Sequence, residues 1–320
     1  MRMVDQSRRD RVGLGLIGLG PSWEQRYLDA LVRLQSRLTV RLVYDPVEAR
    51  AKSIASEFDA EVTGSLRQML ARPKLQGLLV LDPGWLGAGA LSLIAGSGKP
   101  VFLARPVLRQ PTALRALLQP CPTSNTEAKQ ANSANDLCMP ELGLRFTPST
   151  CRLRELIATK LGRIKRIVIA CDLSGEKTET AHLVDWCHHL MGQPPTVVSN
   201  PNGQSISNHA IDFEFNSGLP PFNTRTARLQ QGSNGNEVAR FSIECERGHA
   251  TLSDRTHIRW ETSTESADES LVDERSETEI LIDQFCRRAL GGLNPVGRLS
   301  EYLSAIEVVE SLSGRGVSGK

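Results

Sequence analysis

The chain has 320 residues, 40% of them hydrophobic and 23% charged, with a net charge of +2. That length allows about two domains with ordinary cores. The near-neutral balance gives no electrostatic reason to expect nucleic acid or an anionic membrane surface as a partner, and no apolar stretch reaches the length of a membrane span. The seven cysteines are odd in number, scattered and without a CxxC pair, which argues for reduced thiols and against a disulfide frame or a zinc site. Ser7-Arg8-Arg9 before an apolar run has the outline of a twin-arginine signal, but no small-residue cleavage site follows. Residues 1–11 are therefore read as a polar arm and the protein as cytoplasmic.

The first element is the apolar run Val12, Leu14, Leu16 and Ile17, closed by Gly18 and Gly20. A run this short ending in glycines reads as a buried parallel strand turning sharply. Pro21-Ser22 opens a helix with Trp23, Tyr27, Leu31 and Leu34 on its apolar face and Ser22 as N-cap. A second strand, Leu38–Tyr44, stops at Asp45. Strand, glycine turn, helix, strand and terminal acid follow the order of a dinucleotide-binding βαβ unit.

Two registers of the glycine motif compete. Gly13-x-Gly15-x-x-Gly18 matches by letter but lies within the strand, so the working register is Gly18-x-Gly20-x-x-Trp23 at the strand end. There Gly18 allows the tight turn, Gly20 lets the backbone approach a pyrophosphate, and the helix N-terminus supplies amides to the anion. Pro21 removes one donor, and Trp23 stands where a third glycine permits close helix–strand packing. Asp45, 25 residues after Gly20, suits the ribose hydroxyls of NAD, although Arg41 and Arg50 keep NADP open. The plain alternative is that Asp45 only caps the helix beginning at Val47.

Further elements alternate. A helix over residues 49–58, a short strand 61–63, a helix capped by Ser65, a strand 75–81 ending at Asp82-Pro83-Gly84, a helix 85–96 and a strand 101–103 predict a parallel sheet with right-handed crossovers. A helix over 109–118 and a polar loop or insertion over 120–136 follow, and Leu142–Phe146 is expected as the last strand. The second half changes character. Helices over 151–161 and 182–191 accompany a strand 164–173 and antiparallel strands at 196–200, 206–215, 224–230, 238–246 and 250–260. Residues 263–279 read as an acidic solvated loop, and two helices, 279–290 and 299–312, close the chain. The expected architecture is α/β plus α+β: an N-terminal Rossmann doubly wound parallel sheet in 1–147, then a C-terminal domain with an open-faced, mostly antiparallel sheet in 148–320.

Several pieces together resemble the glucose–fructose oxidoreductase / inositol dehydrogenase / MocA (Gfo/Idh/MocA) family of NAD(P)-dependent oxidoreductases. They are GLIGLG at 15–20, VYDP at 43–46, SLRQML at 65–70, GLLVLDP at 77–83, AGSGKPVFLARP at 95–106, LRFTPS at 144–149, HLVDWCHHLMGQPP at 182–195 and NPVGRLSEYLSAIEVVESL at 294–312. The resemblance implies hydride exchange between the nicotinamide and a hydroxyl carbon of a sugar, polyol or similar small molecule. It implies a homo-oligomer through the open sheet and adds Asp82, Pro83 and Pro106 to the cofactor-binding residues. The chain departs from the family where chemistry is expected. The usual Glu-Lys-Pro is Ala104-Arg105-Pro106, and the acid usually four residues before the helix histidine is Thr178, with Glu179 beside it. A guanidinium orients or stabilises an oxyanion but is a poor proton shuttle.

The candidate catalytic residues are accordingly Arg105 and His182. Asp185 and Arg145 are candidates for substrate contact, with Arg145 equally able to pair with an acid of the fold. His182, Asp185 and His189 share a helical face, but no ligand set at familiar spacing supports a metal site. Trp85 and Trp186 read as core residues. The cofactor is NAD or NADP, with Asp45 favouring NAD. The alternative is a catalytically degenerate relative acting as a nucleotide-binding or protein-interaction subunit, motivated by Trp23, Arg105 and Thr178.

Overall fold

A computed structural model describes residues 11–82, 84, 87–118, 135–173, 176–199, 210–216, 224–232, 239–272, 274–292 and 296–314. The chain divides into two compact units. The first comprises residues up to Glu141 together with Arg275–Leu303; the second runs from Leu142 to Glu274 and resumes at Ser304. Each unit is thus discontinuous along the chain, unlike the two uninterrupted domains, 1–147 and 148–320, that the sequence leads one to expect.

The first unit is built on six parallel strands: β1 (Val12–Ile17), β2 (Leu38–Tyr44), β3 (Glu61–Val62), β4 (Gly77–Val80), β5 (Val101–Leu103) and β6 (Cys138–Pro140). Their order is β3-β2-β1-β4-β5-β6. The chain therefore winds outward on one side of β1 and then on the other, and β1 and β4 flank the topological switch point. β1 and β4 are buried along their whole length, as strands covered on both faces must be. The helix Glu277–Ala289 also belongs to this unit. It packs on the helix Leu28–Arg33, and Phe285 meets Phe102 of β5 edge to face at 5.9 Å between centroids.

Several expectations are corrected. The last strand is Cys138–Pro140, while Gly143–Phe146 is a 3-10 turn. Ser22 makes no capping bond; the helix after β1 opens with a wide π turn, Trp23–Tyr27, before continuing as Leu28–Arg33. The expected insertion 120–136 lies almost wholly outside the described residues, as do Pro83, Trp85 and the start of the strand expected at 206.

The second unit carries an eight-stranded sheet. Its strands are β7 (Ile164–Cys171), β8 (Val197–Ser199), β9 (Ala210–Asn216), β10 (Thr224–Gln231), β11 (Arg240–Cys245), β12 (Gly248–Leu252), β13 (His257–Thr262) and β14 (Ser266–Ser270). The order is β14-β13-β12-β11-β7-β10-β9-β8. Every pairing is antiparallel except β7 with β10. Burial alternates strictly along β11, with Phe241, Ile243 and Cys245 inward and Arg240, Ser242 and Glu244 exposed, so one face is core and the other open. The single strand expected over 250–260 is two strands. Asp254 breaks it by accepting the Thr256 and His257 amides at 2.7 and 2.8 Å. The acidic stretch expected as a loop contributes β14, and Ser276 caps the following helix through the Glu279 amide.

Candidate functional site

In the first unit the candidate residues gather at the carboxyl ends of the parallel strands. Gly18 and Gly20 follow β1, Asp45 follows β2, Asp82 lies two residues beyond β4, Arg105 lies two beyond β5, and Glu141 follows β6. This is the edge where open α/β sheets bind their ligands. Gly18 and Gly20 both have positive φ, +67° and +56°, so the turn needs glycine twice. Space demands it too: a Cβ on Gly18 would lie 2.1 Å from the Asp82 carbonyl oxygen, and one on Gly20 would lie 2.1 Å from Asp82 Oδ2.

Asp45 does two jobs. Its Oδ2 accepts the Leu19 amide at 2.8 Å and its Oδ1 accepts the Val47 amide at 2.8 Å. It thus ties the tip of the glycine turn to the start of the next helix, with Arg50 Nη1 3.8 Å from Oδ2. Asp82 lies directly over the turn. Its amide donates to Gly18 at 3.1 Å, and its Oδ1 accepts the Gly84 amide at 2.8 Å. Pro21 is exposed at the head of the helix. Trp23 is buried and packs edge-on to Phe58, 6.2 Å between centroids. The π turn accommodates a bulky side chain where close packing would need a glycine.

A residue absent from the sequence reading closes this edge. Glu141, only 2% exposed, accepts hydrogen bonds from Arg26 Nη2 at 2.6 Å, Tyr27 Oη at 2.7 Å and the Arg105 amide at 2.7 Å. The carboxylate joins the π turn to Arg105. Burial, and then Glu141's charge and hydrogen bond, push the Tyr27 phenol well above its ordinary range. Burial opposes the Arg26 charge, but Glu141 and Tyr27 outweigh it and hold the guanidinium cationic. Arg105 and Pro106 begin the short helix Arg105–Leu108, both half-buried.

In the second unit the helix Lys177–Met191 carries His182, Asp185, His188 and His189. Asp185 receives Arg145 in a two-pronged ion pair, Nε to Oδ2 at 2.9 Å and Nη2 to Oδ1 at 2.5 Å, with both side chains buried. Of the two readings for Arg145, pairing with an acid of the fold is the contact observed. Trp186 Nε1 donates to Thr150 Oγ1 at 3.0 Å, which fixes the same helix to the helix Pro148–Leu156. His182 is buried. Thr178 donates to Glu176 at 3.2 Å at the exposed start of the helix. No cluster of three potential metal ligands occurs among the described residues.

His188 and His189 are both pushed down to about 4, first by burial and then by the nearby Arg145 charge. Unfolded, they take protons near 6.5. The stability tied to keeping them neutral is whole above about pH 6.5 and drains as pH falls from there towards 4, because only the unfolded chain gains those protons. The denaturation midpoint of the second unit is expected to drop through this window. His188→Gln should flatten part of the drop, and an unaltered profile would contradict the assignment.

A dinucleotide fits the first unit on two structural grounds. The turn after β1 is one that only glycines can make, and an acid at the end of β2 is held against that turn at the switch point. Residues 12–128 match the family described as an oxidoreductase family with an NAD-binding Rossmann fold, Gfo/Idh/MocA. No curated protein sequence matches the chain. Among solved structures, an aldose–aldose oxidoreductase from Caulobacter crescentus, complexed with glycerol, is 14% identical with a TM-score of 0.71, covering 97% of this chain and 98% of that one. A levoglucosan dehydrogenase in complex with NADH and levoglucosan is 14% identical with a TM-score of 0.66, covering 96% and 97%. A 3-ketoreductase from Actinomadura kijaniata in complex with NADP is 14% identical with a TM-score of 0.66, covering 94% and 96%. No described helix is long and apolar enough to cross a membrane. The family match covers the Rossmann segment, residues 12–128, and the fold is shared along nearly the whole length of these structures.

Proposed function

We propose that this protein moves hydride between a nicotinamide dinucleotide and the hydroxyl-bearing carbon of a sugar, polyol or similar small molecule. The observation that carries the reading is the doubly glycine-dependent turn held by Asp45 at the switch point of the parallel sheet. When bound, the dinucleotide supplies the hydride acceptor or donor. Gly18, Gly20 and Pro21 would hold its diphosphate on the turn they shape, which Asp45 and Asp82 flank, and Pro106 lies in the short helix just beyond β5. The Asp45 carboxylate accepts from ribose hydroxyls and would repel a 2′-phosphate, which favours NAD over NADP.

The Arg105 guanidinium stabilises negative charge on the substrate oxygen. The His182 imidazole takes the hydroxyl proton in oxidation and returns it in reduction. Asp185 and Arg145 bear on the substrate through the helix they lock, which carries His182. The alternative of a degenerate, non-catalytic relative is not favoured by the comparisons.

The test is a panel of aldoses, polyols and sugar acids assayed with NAD and NADP for nicotinamide reduction. Turnover with at least one substrate, reduced at least about a hundredfold by Arg105→Ala, supports the reading. No turnover across the panel, or turnover indifferent to Arg105, contradicts it. We also propose a homo-oligomer through the open face of the eight-stranded sheet, where Arg240, Ser242 and Glu244 are exposed; light scattering that returns a monomer at micromolar concentration would sink it. The six described cysteines are free thiols, in keeping with a cytoplasmic location.

A further inference from the structure

The glycine turn has an unusual neighbour. Asp82 Oδ2 occupies the space where a Cβ on Gly20 would stand, 2.1 Å from that ideal position, with the Asp82 Cβ and Cγ at 2.4 and 2.6 Å. The absence of a side chain on Gly20 is what lets a backbone approach a diphosphate, and here a carboxylate fills part of that opening. It is not free to leave. Oδ1 is held by the Gly84 amide at 2.8 Å, and the Asp82 amide is held by the Gly18 carbonyl at 3.1 Å. Among the described residues no cation lies within ion-pair distance of Asp82. A second carboxylate, Asp45, is bonded to the same turn through the Leu19 amide. The turn is flanked by two acids, and among the described residues only Asp45 has a cation beside it, Arg50.

We propose that Asp82 is the affinity-limiting residue of the dinucleotide site, a fixed negative charge that opposes the diphosphate at Gly20. This rests on the dinucleotide reading above and goes beyond it by assigning the sign of Asp82's contribution. A like charge held close to the diphosphate weakens binding, and the penalty shrinks as salt screens it. Binding of a ligand without phosphate, such as adenosine, is indifferent to Asp82. Asparagine at this position keeps an acceptor for the Gly84 amide and turns a donor towards the diphosphate, so repulsion becomes attraction.

The experiment measures the dissociation constant of NADH, by nicotinamide fluorescence, for wild type, Asp82→Asn and Asp82→Ser. It is done at low salt and at about 1 M salt, where the Debye length is about 3 Å, with adenosine affinity followed by ligand-observed NMR. Both variants are expected to bind NADH on the order of tenfold more tightly than wild type at low salt. The advantage narrows at high salt, and adenosine affinity stays unchanged. Binding by both variants with none by the wild type would support the sign assigned to Asp82 while contradicting a working site in the wild type. Equal or weaker NADH binding by both variants, with wild-type binding measurable, overturns the proposal and leaves the dinucleotide reading standing. Failure of all three proteins to bind overturns both.

Discussion

Asp185→Ala should destabilise the second unit by roughly 3–5 kcal/mol. The replacement removes a carboxylate partner from a guanidinium that is itself buried, with side-chain exposures of 6% for Arg145 and 2% for Asp185. Two hydrogen bonds, at 2.9 and 2.5 Å, vanish together. Breaking such a pair costs more than the pair contributes, because a desolvated charge remains. The companion measurement is a double-mutant cycle with Arg145→Met and Asp185→Leu. If the loss reflects a buried charge deprived of its carboxylate, the apolar double variant should lie closer to wild type than either single variant in urea denaturation. Losses that simply add would contradict this account. The same variants also test the role proposed for His182, which lies one helical turn from Asp185.

Glu141→Ala should cost a similar amount, roughly 3–5 kcal/mol, in the first unit. One carboxylate satisfies three donors from two places in the chain: the adjacent Arg26 guanidinium and Tyr27 hydroxyl, and the Arg105 amide. Alanine leaves all three without that acceptor in a site where Glu141 itself is 2% exposed. Glu141→Gln keeps an amide oxygen for one or two of the donors but loses the charge that Arg26 faces, and should fall between wild type and alanine. The Tyr27 phenol, raised mainly by burial and then by Glu141, should titrate at lower pH in both variants. A loss below about 1 kcal/mol for Glu141→Ala, or a Tyr27 titration that does not move, would show that the network contributes little.

What the sequence discloses is chemistry that is local along the chain. The strands β1 and β4 are runs of apolar residues because both faces of a parallel sheet are covered. Gly18, Gly20 and Asp45 stand out because a turn with positive φ and an acid at a strand end leave a spacing. The missed elements lack such a signature. β14 is Ser-Ala-Asp-Glu-Ser, a polar strand at a sheet edge with no fully buried residue, and charge on an edge strand prevents further pairing rather than signalling a core. β6 is three residues long and ends in proline, which is tolerable only because it borders the sheet on one side. The neighbouring Leu142–Phe146 is more apolar, yet it turns as a 3-10 helix.

The contacts that define the candidate site span long stretches of chain. Tyr27 and Glu141 are 114 residues apart, and Arg145 and Asp185 are 40 apart. No periodicity reports such pairs. Glu141 did offer one clue, an acid at the carboxyl end of a parallel strand, where ligand-binding residues collect. Displacing the last strand to Leu142–Phe146 hid it. Arg145 was legible as a candidate but not as a choice between substrate and internal partner, because that depends on which face of a distant helix meets it.

The central claim is that the glycine turn and Asp45 form a working dinucleotide site. Its most direct test is titration of the purified wild-type protein with NADH and with NADPH, followed by nicotinamide fluorescence. The account predicts saturable binding with NADH preferred, a preference that Asp45→Ala removes. No saturable binding of either cofactor up to millimolar concentration would contradict it.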